Sequence, residues 1–284
     1  MSPARRPPPR RPGRTGGPST PHARRSPPAG GRPSAAKGLG VEQVEGRQAV
    51  RELLVAGRRR VKDIWLAEGV DDAPILGDIL DLAAELRVTV RQMSRLALES
   101  EARSEAPQGI LAHAAPLPAA ELDSLCRPPD GSAPFLVALD SVTDPQNLGA
   151  LLRTAECAGA TGALLPRHRS AHVTPTVAKA AAGAVEYLPI ALVAGLPAAL
   201  ARAKELGVWV VGLDAGGDTS VFELPVGPEP VALVLGAEGR GLGRLTRARC
   251  DVVAAIPLRG ALGSLNVTSA GAVACFEVAR RRLS

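Results

Sequence analysis

The sequence predicts an α/β protein: a largely parallel sheet covered by helices on both faces, preceded by a smaller α/β domain. Three observations carry that prediction. Apolar strand patterns alternate with helix patterns from Phe135 onward, the order a parallel sheet requires. The pattern Val231–Leu235 is apolar at all five positions, as expected of a strand covered on both faces. Three strands, ending near Leu139, Leu235 and Ile256, run into loops that open toward helices. In α/β proteins such loops can converge on a ligand at the carboxyl ends of the strands.

Residues 1–40 come first. Up to Leu39 they hold nine Lys or Arg, ten Pro and no acid. So little apolar surface cannot offset the entropy of ordering, and a disordered basic tail is predicted. Such a tail either solubilises the chain or tethers it to RNA phosphates. Residues 41–115 read as a small α/β domain. A helix is predicted over Arg47–Ala56, with Val50, Leu53 and Leu54 on one face, then a strand over Val61–Ala67. A second helix over 73–86 and strands over 88–90 and 109–114 follow. Arg58-Arg-Arg could touch phosphate but reads first as an exposed turn. Prolines at 116, 118, 128, 129 and 134, with Asp130-Gly131, mark 116–134 as a linker. In the second domain, 135–284, strands are predicted at 135–139, 162–165, 208–213, 231–235 and 252–256. Helices are predicted at 147–158, 174–182, 196–206 and 266–282.

Composition narrows the function classes. The chain has 284 residues and 45% hydrophobic content, enough for a sizeable core. Its net charge of +6 belongs to the tail, because residues 40–284 hold 25 basic against 28 acidic residues. A folded body that binds nucleic acid must therefore gather its positive charge on one face. Four cysteines and four histidines show no metal-ligand spacing, so no metal is expected. Cys157 and Cys275 fall among Ala and Val and read as buried thiols; reduced thiols suggest a cytoplasmic protein. No apolar run is long enough for a membrane span, and the basic N-terminus lacks the apolar centre of a secretory signal. Aromatics are 2% of the chain, so stacking platforms for bases are poorly supplied.

Chemistry-bearing residues cluster in the three loops. In Asp144-Pro-Gln-Asn-Leu-Gly, Asn147 stands where an N-cap belongs, and Gly149 permits a close approach. Arg153 lies within two turns of that helix start, at a spacing that also allows an ordinary pair with Glu156. Gly236-Ala-Glu-Gly-Arg-Gly-Leu-Gly is not a dinucleotide fingerprint, because Arg244 occupies the third glycine position, and no Lys-Ser or Lys-Thr makes it a Walker loop. A backbone cradle with one carboxylate, Glu238, remains, suited to a small ligand. Gly260 and Gly263 flank a turn before Ser264-Leu-Asn, and Ser264 or Asn266 can cap the last helix. Small residues in the first half of that helix imply a closely packed neighbour, while its final Arg280-Arg-Arg suits the helix dipole without RNA.

Taken together, Asn147-x-Gly149-x-x-x-Arg153, Gly236-x-Glu238-Gly239-x-Gly241 and Ile256-Pro…Ser264-Leu-Asn266-Val resemble motifs one, two and three of the SpoU/TrmH family of RNA ribose 2′-O-methyltransferases. Arg169-Ser-Ala, Ala182-Gly-Ala, Trp209-x-Val-Gly and Phe276-Glu are similar to the branch that modifies a guanosine of 23S rRNA. Gly46-Arg-Gln-Ala-Val and Gln108-Gly-Ile resemble that branch's small, ribosomal-protein-like RNA-binding domain. The resemblance implies a knotted (trefoil) SPOUT methyltransferase domain, one of the rare real knots. It implies S-adenosylmethionine as methyl donor, contacted by backbone at Gly236, Ile256 and Leu265. It further implies a catalytic and RNA-facing set of Asn147, Arg153, Glu238, Ser264 and Asn266, no metal, and a homodimer with active sites at its interface. Thr268-Ser stands where Ser-Val is common, and Arg240 where small or acidic residues are frequent.

Other readings stay open at this point. One is a tRNA ribose methyltransferase or a resistance-type rRNA enzyme. Another is an RNA-binding assembly factor without turnover, although such a module has no need of all five polar residues. A nucleotide-binding regulator lacks any phosphate fingerprint.

Overall fold

The computed structural model describes residues 38–168, 170–237 and 239–283. The predicted tail up to residue 37, Arg169 and Glu238 lie outside the described residues. Among the described residues the strands form two sheets.

The first sheet has four strands in the order β1-β4-β2-β3. Its elements are β1 (Gln43–Glu45), α1 (Arg47–Ala56), β2 (Val61–Ala67), α2 (Pro74–Glu85), β3 (Thr89–Met93), α3 (Arg95–Glu101) and β4 (Ile110–Ala114). β2 pairs parallel with β3, while β4 runs antiparallel to both β1 and β2. α1 buries Val50, Leu53 and Leu54, the face that the spacing predicts. α3 was not anticipated; Ser94 caps it by accepting from the Ala97 N–H.

The stretch read as a linker contains α4 (Leu122–Cys126), which buries Leu125 and Cys126. The second sheet follows with β5 (Phe135–Leu139), α5 (Pro145–Cys157), β6 (Gly162–Pro166), α6 (Pro175–Ala180), β7 (Ile190–Val193), α7 (Leu196–Glu205) and β8 (Trp209–Leu213). It ends with β9 (Thr219–Ser220), β10 (Val231–Leu235), α8 (Arg244–Arg247), β11 (Val252–Ala255) and α9 (Val267–Arg282). Strand order is β7-β6-β5-β10-β8-β11-β9, and every pair is parallel. The strand order reverses at β5, and β10 is inserted between β5 and β8, two strands made earlier in the chain.

The apolar runs are explained by two-sided burial. Phe135, Val137, Leu139, Leu233 and Leu235 face the core that contains Leu148, Leu151 and Cys275 of α5 and α9. Leu136, Ala138, Ala232 and Val234 face the opposite core, with Leu125 of α4 and Ala199 of α7. β7 and β9, of four and two residues, escaped the sequence reading.

Two readings are corrected. Within Arg58-Arg-Arg, Arg58 and Arg60 are exposed as expected of a turn, but Arg59 is not. Arg59 is buried and forms a two-pronged pair with Glu186, Nη2 to Oε1 at 2.6 Å and Nε to Oε2 at 3.0 Å. Arg58 donates to the carbonyls of Glu186 at 2.9 Å and Tyr187 at 3.1 Å. These bonds fasten the first sheet's layer to the second, a partner 127 residues away that no local pattern reveals. Cys157 is exposed rather than buried, because it falls on the face of α5 opposite buried Leu148, Leu152 and Ala155; Cys275 is buried, and burial pushes its thiol up to about 12.

Candidate active site

The site grows from the carboxyl ends of β5, β10, β8 and β11. A cavity of about 250 Å3 opens there. Leu213, Leu235, Ile256 and Val267 supply apolar walls, and Gly236, Arg240, Ser264 and Leu265 complete the rim. All three residues expected to touch the cofactor, Gly236, Ile256 and Leu265, line this cavity.

The loop after β10 is shaped by its glycines. A Cβ on Gly236 would run into the backbone of Gly241, and Gly241 itself has φ +61. The Gly241 N–H donates to the Ala237 carbonyl at 3.0 Å and closes the turn. Two aspartates that the sequence reading missed hold this loop from either side. Asp140 follows β5, and its Oδ2 accepts from the Gly243 N–H at 2.9 Å. Asp214 follows β8, and its Oδ2 accepts from the Leu242 N–H at 2.9 Å. Asp214 also accepts from Gly216 N–H at 3.0 Å and pairs with Arg247 at 3.0 Å. Burial raises the Asp214 carboxyl, but the two N–H donors and Arg247 outweigh it and set the net value below the ordinary 3.8. The signal was present: each aspartate is the first polar residue after a five-residue strand.

α5 begins differently from the prediction. Asp144 is its N-cap, accepting from the Asn147 N–H at 2.8 Å, and Pro145 occupies the first turn. Asn147 therefore lies inside the first turn, half-buried, rather than at the cap. Asn266 does cap α9, through the Thr268 N–H at 2.8 Å and the Thr268 hydroxyl. The amide of Asn266 also reaches Asn147, Nδ2 to Oδ1 at 3.5 Å. Motifs one and three thus meet beside the cavity.

That meeting depends on tight helix packing. A Cβ on Gly271 of α9 would overlap the end of the Leu151 side chain of α5, so the glycine lets the two helices approach closely. A Cβ on Gly149 would come within 2.5 Å of Ala180 on α6. Arg153 is not among the cavity-lining residues; it sits exposed on α5, two turns beyond Asn147, and no ion pair with Glu156 forms among the described residues. The terminal Arg run is held by its own chain: Arg280 and Arg281 pair with Glu277, whose carboxyl those bonds lower to about 2.

The SpoU rRNA methylase family model matches residues 134–276, and the model for RNA 2′-O ribose methyltransferase substrate binding matches 43–120. The chain belongs to the SpoU rRNA methylase family. SpoU relatives match over nearly their whole length. One is the 23S rRNA (guanosine-2′-O-)-methyltransferase RlmB of Pseudomonas aeruginosa, 41% identical, covering 85% of this chain and 97% of the relative. Another is RlmB of Shewanella oneidensis, 38% identical over 84% of this chain and 97% of that one. Among solved structures, the SpoU methyltransferase AviRb of Streptomyces viridochromogenes with AdoMet superposes with a TM-score of 0.70 at 26% identity, over 85% of this chain and 90% of that one.

S-adenosylmethionine is the family's cofactor, and the cavity fits it. Apolar walls suit an adenine face, and the exposed backbone of a glycine loop suits its polar edges. Among the described residues no group of His, Cys, Asp and Glu could hold a metal ion. No described helix is long and apolar enough to cross a membrane.

Proposed function

We propose that this chain methylates the ribose 2′-hydroxyl of a guanosine in 23S rRNA. The observation that carries the reading is the convergence of Asn147 and Asn266 beside a cavity lined by Gly236, Ile256, Ser264 and Leu265. The activities of the RlmB relatives support the substrate.

When bound, S-adenosylmethionine supplies an electrophilic methyl group. The protein's task is to hold the hydroxyl in line with it, and positioning of this kind accounts for much of the acceleration in such transfers. Backbone groups at Gly236, Ile256 and Leu265 would hold the donor. Asn147, Ser264 and Asn266, with Glu238 assigned by its motif, would orient the ribose and the loops. A guanidinium with a pKa above about 12 is a poor base. Arg153 therefore serves best by gripping the target phosphate and stabilising the developing alkoxide. Its exposure suits a residue that meets RNA rather than the cofactor.

Three further expectations belong to the same reading. The domain is knotted, a path favoured by the late insertion of β10 between β5 and β8. The protein is a cytoplasmic homodimer, with exposed Leu262, Leu265 and Phe276 available to an interface. The small domain, 41–115, binds RNA, and the basic tail adds salt-dependent affinity.

The test is transfer of labelled methyl to unmodified 23S rRNA, with tRNA in parallel. Label at a guanosine 2′-hydroxyl of the rRNA is the expected result. Label only in tRNA overturns the substrate, and none in either, with cofactor bound, leaves an RNA-binding factor. Arg153→Ala is expected to abolish transfer while cofactor binding stays near normal; an active variant would remove Arg153 from its role.

A further inference from the structure

A second cavity, of about 450 Å3, lies in the small domain between the starts of α1 and α3 and the loop before β4. Its wall is where the two N-terminal sequence motifs meet. The Arg47 N–H donates to Gln108 Oε1 at 2.9 Å, Arg47 Nε approaches the Gln108 carbonyl at 3.3 Å, and the Gly46 N–H reaches the Ile110 carbonyl at 3.3 Å.

The loop forming that wall is strained. Ala106 and Gln108 both adopt left-handed backbone, at φ +49 and φ +61, without being glycine. Two anchors keep it there. The buried Glu45 carboxylate accepts from the N–H groups of Arg103 at 2.7 Å and Ser104 at 3.0 Å, and from the Ser104 hydroxyl. Lys179, in the last turn of α6, donates to the carbonyls of Ala106 at 2.6 Å and of Glu105. α6 in turn packs on α5 at Gly149, so the loop is tied to the helix that carries Asn147 and Arg153. Strain held by independent anchors at the mouth of a cavity is a feature of ligand clamps.

The lining chooses the ligand. Val70, Leu98 and Pro107 supply apolar surface, Arg47 and Arg95 supply guanidinium donors, and Asp71 and Glu99 supply acceptors. A bare polyphosphate would be repelled by the two carboxylates. A nucleotide satisfies all three: an apolar base face, an amino-bearing base edge for a carboxylate, and a phosphate for an arginine. We infer that this cavity takes one unpaired nucleotide of the substrate RNA, distinct from the methylated one, and that Lys179 holds it at fixed reach from α5. The inference rests on the RNA methyltransferase reading above.

The experiment uses the full chain, cofactor and an unmodified fragment of whichever RNA the wild-type protein methylates. RNA affinity against salt, chemical protection of each nucleotide and cofactor affinity are measured for wild type, Arg47→Ala and Arg95→Ala. Each variant is expected to weaken RNA binding about tenfold and to lower the salt slope by about one. Each is expected to lose protection at a single nucleotide away from the methylation target, with cofactor affinity unchanged as the control for folding. Lys179→Met is expected to lower kcat at saturating RNA, with rescue by Lys179→Arg. Methylation by wild type together with unchanged affinity and protection in both arginine variants overturns the cavity assignment alone. Wild-type protein that binds cofactor but methylates neither rRNA nor tRNA overturns the activity reading and this inference with it.

Discussion

Two loops in this molecule reach left-handed backbone by opposite means. The loop after β10 uses Gly239 at φ +72 and Gly241 at φ +61, where the conformation carries no steric penalty. The loop before β4 forces Ala106 and Gln108 into the same region, at a cost on the order of 1–3 kcal/mol each. The first loop needs only trimming, which Asp140 and Asp214 provide through single backbone bonds. The second must be held from outside, by buried Glu45 and by Lys179 of the other sheet's layer. Glycine permits the first loop's conformation by itself, whereas the second loop's conformation persists only through contacts from Glu45 and Lys179.

Four substitutions break or sharpen that contrast. The largest effect falls on the long-range side. Glu186→Gln leaves Arg59 charged and buried, with side-chain exposures of 2% and 1% in the intact pair. A loss of about 3–5 kcal/mol is expected, read as a fall in Tm on the order of 10 °C. A melt unchanged by this substitution would show that the two layers are fastened elsewhere. On the local side, Gly241→Ala places a Cβ against Asp214 Oδ2 at a positive φ, and cofactor affinity should fall at least about tenfold while RNA affinity holds.

Asp214→Asn tests the cradle by pH. The carboxyl has a lowered value in the fold, so its stabilising contribution is complete above the ordinary 3.8 and is lost as pH falls through the lowered folded value. The Tm gap between wild type and variant should therefore hold constant from pH 7 to pH 5 and close below about 3.8. A gap that instead widened in acid would contradict the ion pair and N–H bonds as its cause. The smallest effect is a gain: Ala106→Gly relieves left-handed strain and should stabilise the chain by about 1 kcal/mol, while weakening RNA binding through lost preorganisation. Calorimetry and RNA titration on the same protein check both halves.

The legibility of these features in the sequence follows the same division. The apolar runs of β5, β6 and β10 are continuous and the helix faces of α1, α5 and α9 are periodic, so composition and spacing reveal them. The loop glycines and the Asn147, Ser264 and Asn266 positions are carried by motifs. Asp140 and Asp214 were not singled out, because an aspartate after a strand is common and its partner N–H lies across a neighbouring loop. Asx residues favour the cap and so point to Asn147, but Asp144 before Pro145 fills that place better. Cys157 has Ala and Gly neighbours in sequence, yet its helical position, nine residues after Leu148, puts it on the outer face of α5.

By itself the sequence determined the α/β class, the three converging loops, the glycine positions and the family to which they belong, because each is written in short-range order and residue type. The tertiary structure alone decided that Arg59 pairs with Glu186, that Lys179 reaches the 103–109 loop, that Asp140 and Asp214 clamp one loop from two strands, and that Asn147 meets Asn266. Each of those contacts joins residues between 28 and 127 positions apart. Only the packing of sheets and helices, driven by apolar burial on both faces, brings such partners within bonding distance.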